Sequence, residues 1–307
     1  MARAMPAHTA QRPLFALGLR LIAVACLATM GALIKLASTR GVHLIEILFF
    51  RQLLAVPVAL AWACAGPGIA SLRTRRIGAH ITRTGFGITG MVFNFGAVLL
   101  MPLAEATTLQ FTVPIFATIL SALLLKEVAG IHRWSAVILG FIGVLIVVQP
   151  GNGHFPLYAG AVGLMAAFMV AAISLQLREL GRTETATTTV FWFSLLSVPA
   201  LGLVYPFFAQ AHDPFTWLLL LGIGLVGGLG QIALTAALRW APVSVVVPMD
   251  YSALIWATLY GWLLFGMLPG TSTWLGAPLV IASGLYIVWR EARLSRRNTD
   301  TITAAAD

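Results

Sequence analysis

Ten runs of this chain, each close to twenty residues long and almost free of charge, leave it very few ways to fold. They lie near 15–37, 44–65, 79–100, 103–125, 134–149, 157–177, 188–209, 215–237, 243–265 and 272–289. A helix rises about 1.5 Å per residue, so about 20 apolar residues span a hydrocarbon core roughly 30 Å thick. Barrel strands are about half that length and alternate in polarity, which these runs do not. The expectation is an all-α integral membrane protein with ten transmembrane helices. Composition agrees: 59% of residues are hydrophobic and 9% charged, against roughly 25% charged in soluble domains. Arg3 and Arg12 precede the first run as they would in a secretory signal. That run exceeds the ~7–15 residue signal core, so it reads as a permanent helix.

The formal charge of +9 does not point to nucleic acid, because the basic residues sit in short loops and tails beside apolar runs. They orient the bundle instead, since cytoplasmic loops carry excess Lys and Arg. With the N-terminus inside, sixteen of nineteen basic residues, Arg20 and Arg83 among them, fall on the inner side. Arg40 falls outside, while Lys35 and Arg51 remain within crossings. Both termini are then cytoplasmic, in a bacterial inner membrane. Membrane lipid is one partner, and the sequence carries no sign of oligomeric state. Cys26 and Cys64, both inside crossings, read as packing residues rather than a disulfide or metal pair.

A shift of 140 positions lays part of the chain on itself. Pro102 meets Pro242, Ile115 meets Ile255, Ala117-Thr118 meets Ala257-Thr258, and Trp134 meets Trp274. Upstream, FFRQLLAVP ending at Pro57 matches FWFSLLSVP ending at Pro199. Five crossings per half is an odd number, so the second half enters from the opposite side. The expected organisation is a 5+5 inverted-topology repeat, residues 1–150 and 151–297, with a disordered tail at 298–307.

These segments, with PLAEATTLQFTVPIFATILSALLLKE, GFIGVLIVVQPG, DYSALIWATLYGWLLFG and IASGLYIVWRE, resemble the EamA-type branch of the drug/metabolite transporter superfamily. The resemblance covers essentially the whole chain. It implies a central cavity lined by helices of both halves and transport of small metabolites. The fourth and ninth helices are similar to a bacterial group containing riboflavin and S-adenosylmethionine importers. One departure stands out: the family often ends both helices in a Gly or Lys followed by Glu. Here Lys126-Glu127 fits that pattern and Gly266-Met267 does not.

Within the crossings, polar residues mark candidate sites, since an ionised group in hydrocarbon must face protein, water or another charge. Asp250 lies about seven residues into the ninth run, and its repeat mate Gln110 precedes Pro114 by four. A proline cannot donate to the carbonyl four residues back, so Gln110 and, before Pro248, Ser244 keep free oxygens, as discontinuous transporter helices require. Arg51 is expected to contact an anion or to pair with Asp250. Asn94 and Gln231, with Phe111, Tyr251 and Trp256, are candidate walls of an apolar pocket with a few polar anchors. Lys35, Glu105 and Asp250 are candidates for gating or coupling. The plainer readings are a structural ion pair for Asp250, snorkelling for Lys35, helix-end stabilisation for Glu46 and Glu105, and packing for the aromatics.

Two stretches, Gly85 to Gly90 and Gly222 to Gly227, fit G-x-G-x-x-G but follow no soluble strand. They read as smooth helix faces that permit close packing. The histidines form no H-E-x-x-H pair, and neither a nucleophile elbow nor a P-loop is present. The expectation is a non-enzymatic carrier without metal or cofactor, moving a small amphipathic metabolite by alternating access. The alternatives are a riboflavin or S-adenosylmethionine type importer and, from another class, an intramembrane lipid-modifying enzyme.

Overall fold

The computed structural model describes residues 13–66, 68–124, 130–149, 155–240 and 243–304, and among them every regular element is helical. The first half holds α1 (Pro13–Thr39), α2 (Leu44–Ala65), α3 (Ile77–Leu100), α4 (Leu103–Gln110), α5 (Val113–Leu124) and α6 (Ile131–Val148). The second holds α7 (Leu157–Leu180), α8 (Ala186–Val204), α9 (Pro214–Trp240), α10 (Val243–Val246), α11 (Ala253–Phe265) and α12 (Thr271–Ala304). Nine segments of the described chain are long and apolar enough to cross a membrane, with α4 and α5 counted as one. The protein is an integral membrane protein.

The remaining crossing, expected at 243–265, is broken into α10, a 3-10 stretch at Val247–Ser252 and α11. It nonetheless runs the length of α1. Arg20 meets Asp250, the Thr29 hydroxyl lies 2.7 Å from that of Tyr260, and Lys35 sits 5.8 Å above the Phe265 ring. Fifteen residues of each chain segment advance together, so the two are parallel neighbours. The face at which α1 begins is called here the near face, and its opposite the far face. Gly266 ends α11 in the left-handed conformation at φ 64°, while Gly266 and Met267 donate their N–H groups to Trp262 and Gly261. Met267, where the family often has an acid, thus closes a helix cap through its backbone. Lys126 and Glu127 lie outside the described residues.

Without a hydrophobic drive between helices in lipid, close contact depends on small residues. Where α6 crosses α12, a Cβ on Gly143 would stand 2.9 Å from the Gly276 carbonyl. Ser283 there donates 2.6 Å to the Ala136 carbonyl. On α3, Gly90 accepts Ile173 of α7, and on α9 Gly227 and Gly230 accept Met30 and Cys26 of α1. Of the two glycine motifs, Gly87, Gly90, Gly224 and Gly227 make such approaches, while Gly85 faces open space. Two apolar clusters hold the bundle together. One joins α1, α2, α3 and α9 around Ile34, Leu48, Phe95 and Leu220, and the other joins α4, α6, α7 and α12 around Leu109, Val147 and Val280.

Two placements differ from the sequence reading. Arg20 is buried within α1, and Arg83 lies inside the bundle wall rather than in an inner loop. Counting charges near run ends had swept both into the loop set, although each is several residues into its helix. The segment beyond 297, expected to be unstructured, continues α12 as helix through Ala304. Propagation from a helix already fixed in the membrane adds one hydrogen bond per residue, and the costly nucleus is already formed.

Candidate functional site

The helix breaks meet at the centre of the molecule. Pro114 removes the donor that would satisfy Gln110, so α4 stops there and Phe111 and Thr112 close a tighter turn onto Thr108 and Leu109, both at 3.1 Å. In the second half Pro248 falls in the 3-10 stretch that carries Asp250 and Tyr251. The two breaks face one another, with the Phe111 and Tyr251 rings 4.8 Å apart and tilted by 59°. Gly284 on α12 makes this possible, because a Cβ there would collide with the Tyr251 hydroxyl.

Beside this aromatic pair lies a cavity of ≈ 790 Å³, whose wall runs from Trp62 and Arg83 in the near half to Leu103 and Ala257 on the far side of the breaks. Its wall includes the expected Arg51, Asn94, Gln110, Phe111, Gln231, Asp250 and Tyr251. Trp256 is outside it: Ala253 and Ala257 turn towards the cavity, and Trp256 points aside to stack on Tyr260. Lys35 and Glu105 are also outside the wall. Sequence reasoning missed Arg20, Gln52 and Arg83, all of which line it.

Asp250 is held by Arg20 and not by Arg51. Nε donates to Oδ1 at 2.6 Å and Nη2 to Oδ2 at 2.5 Å, a two-pronged pair with Arg20 8% and Asp250 37% exposed. Arg51 instead donates from Nη1 to Gln52 Oε1 at 2.6 Å and to Met91 Sδ at 3.1 Å, with its guanidinium 5.6 Å from the Phe95 ring centre. Arg83 lies 3.9 Å over Phe193. The side-chain nitrogen of Gln110 is buried without a partner.

The far face is closed by contacts between the halves. Glu105, in the first turn of α4, accepts from Gly270 N–H at 3.2 Å and the Thr273 hydroxyl at 3.0 Å, so one carboxylate sits at two helix N-termini. Within the first half Lys35 donates to the Met101 and Val98 carbonyls at 2.5 and 2.9 Å, capping α3 rather than snorkelling, and reaches the second half at the Phe265 ring. Buried Glu46 meets His212 at 2.9 Å. Arg40 pairs with Asp213 at 3.1 Å, and the Thr216 hydroxyl, with Arg40 beside it, holds the Asp213 carboxyl below its usual range. Phe49, Phe50, Tyr205 and Trp217 pack between them. The described residues hold no cluster of three metal-ligating side chains.

Known proteins are similar to this chain in sequence and in fold. The EamA-like transporter family matches residues 14–149 and again 158–289. A riboflavin transporter of Vibrio cholerae is 36% identical over 229 residues, 74% of this chain and 76% of that protein. The pseudopaline exporter CntI of Pseudomonas aeruginosa is 28% identical over 258 residues, covering 83% and 89%. A crystal structure of another protein superposes with a TM-score of 0.60 at 20% identity over 90% of this chain and 98% of that one, which speaks to fold alone. With a family match across nearly all of its length and relatives that carry solutes rather than transform them, this chain belongs to the EamA-like transporters of the drug/metabolite transporter superfamily.

Proposed function

We propose that the protein is a secondary carrier that moves a small amphipathic metabolite across the bacterial inner membrane by alternating access. The observation that carries this reading is the central cavity, flanked by two facing helix breaks and shut at the far face by contacts between the halves. Broken helices at the midplane leave backbone groups available to a solute, which a passive scaffold does not need.

A 5+5 inverted repeat, residues 1–150 and 151–297, fits the packing. α1 lies on α9 as α7 lies on α3, so exchanging the halves exchanges these pairs, while α2 with α8 and α6 with α12 map onto themselves. Rocking one half against the other would open the far face and close the near one. With both termini cytoplasmic, the near face is the cytoplasmic side and the cavity described here faces inward. Within it, Gln110, Phe111 and Tyr251 line the wall at the breaks, with Asn94 and Gln231 as polar anchors. The Arg20–Asp250 pair is the coupling element, and Lys35 and Glu105 hold the closed gate.

A second, narrower reading is riboflavin import, favoured by the Vibrio cholerae relative. Counterflow in proteoliposomes tests both. Accumulation of labelled solute against a preloaded pool, abolished by Asp250→Asn, is the expected result. Tracer exchange indistinguishable from empty liposomes across flavins, nucleosides and amino acids sinks the carrier reading.

A further inference from the structure

The cavity carries more positive charge than it answers. By contrast, nearby cations have partners inside the chain: Arg20 has Asp250, Lys35 has two carbonyls, and Arg40 has Asp213. Arg51 and Arg83 form no ion pair with a carboxylate among the described residues. Arg51 Nε and Arg83 Nε and Nη1 are buried with no hydrogen-bond partner. A guanidinium stays protonated even there, so its charge is met by something else or left as a cost.

Both side chains are nevertheless held in place. Arg83, Gly87, Met91, Asn94 and Phe95 recur on one stripe of α3, and all face the cavity. Gly87 leaves room for the Arg83 guanidinium, which a Cβ there would strike, and Phe193 covers its other side. Gln52 and Met91 fix Arg51 from α2 and α3. A planar cation that is positioned, desolvated and unpaired suits a carboxylate or phosphate, which it grips with parallel N–H bonds.

We infer that Arg51 and Arg83 form the receptor for an anionic group, carboxylate or phosphate, on the metabolite carried. Arg83, nearer the near face, meets the anion first and Arg51, against Met91 and Phe95, receives it deeper. The ligand class is therefore an acid with an apolar or aromatic body. The inference rests on the carrier reading, because only a passing solute supplies the missing charge.

The test uses full-length protein in nanodiscs of zwitterionic lipid, so that no lipid headgroup supplies a net negative charge. The probes are matched pairs, riboflavin 5′-phosphate against riboflavin and nicotinate against nicotinamide, with inorganic phosphate at constant ionic strength. The anionic member of a pair should bind at least about tenfold tighter, and Arg51→Gln or Arg83→Gln should each remove about that factor. Equal binding of the neutral members, an anion preference that survives in the double variant, or no anion stabilising the protein above the chloride control overturns the proposal. A second readout needs no ligand: with no probe present, Arg51→Met/Arg83→Met should melt at or above the wild-type temperature, because it removes uncompensated charge. A lower melting temperature assigns the arginines a structural role and overturns the proposal. Anion binding without counterflow of any solute would defeat the carrier reading and leave the receptor standing.

Discussion

At the residue scale, Asp250 is a carboxylate in an apolar run, held by a guanidinium from another helix. Its depth in an apolar run was legible, because a carboxylate there needs an answer. Its partner was not, because Arg20 lies 230 residues away and only folding sets it against Asp250. The depth rule that singled out Arg51 applies equally to Arg20, eight residues into α1, and would have found it. Breaking the pair with Arg20→Gln strands a carboxylate inside the bundle, at a cost of about 1–3 kcal/mol given the partial exposure of Asp250. The exchanged pair Arg20→Asp/Asp250→Arg should recover most of the melting temperature, a comparison that separates charge pairing from lost packing. The exposed Arg40–Asp213 pair yields a pH prediction. Its depressed carboxyl pKa means the stabilisation is present above the unfolded value of 3.8 and lost only as pH falls through the lower folded value. Amide protection at 208–213, corrected for the intrinsic exchange rate at each pH, should therefore be unchanged by this pair between pH 7 and pH 5. Faster exchange in wild type at pH 5, absent from Asp213→Asn, would contradict it.

At the element scale, prolines announced the break after Gln110, since the chemistry of a missing N–H is local. The second break is longer than its mate, because α10 gives way to a 3-10 stretch before α11 begins, and no residue count would have told the two apart. Gly284 shows why: its importance lies in the Tyr251 hydroxyl set against it from another helix. Gly284→Ala should push that ring out of its seat and lower counterflow severalfold in protein that still purifies as a monodisperse species. Unaltered flux would remove Tyr251 from the transport site. Gly143→Val belongs to the same scale, since it drives a branched side chain into the α6–α12 crossing. Overpacking of that kind costs about 1–3 kcal/mol, readable as a lower melting temperature.

At the scale of the whole molecule, the proposed alternating access makes this conformation one of two: closed at the far face, with its cavity reached from the near face past Trp62 and Val190. Single cysteines at Trp62 or Val190, both in the cavity wall, should react with a membrane-impermeant maleimide added from the near side. A cysteine at Thr273, buried beneath Glu105, should not. Labelling of all three from either side would show that the far face does not close. What the sequence by itself determined is everything that depends on local chemistry: the helices and where proline interrupts them, the family, and the cost of each charge in hydrocarbon. The tertiary structure alone decided which charges are answered, giving Asp250 to Arg20 and Lys35 to the end of α3 while leaving Arg51 and Arg83 without a carboxylate among the described residues. Charge pairing acts over a few ångströms between helices far apart in the chain, so it has no sequence signature until the bundle is packed.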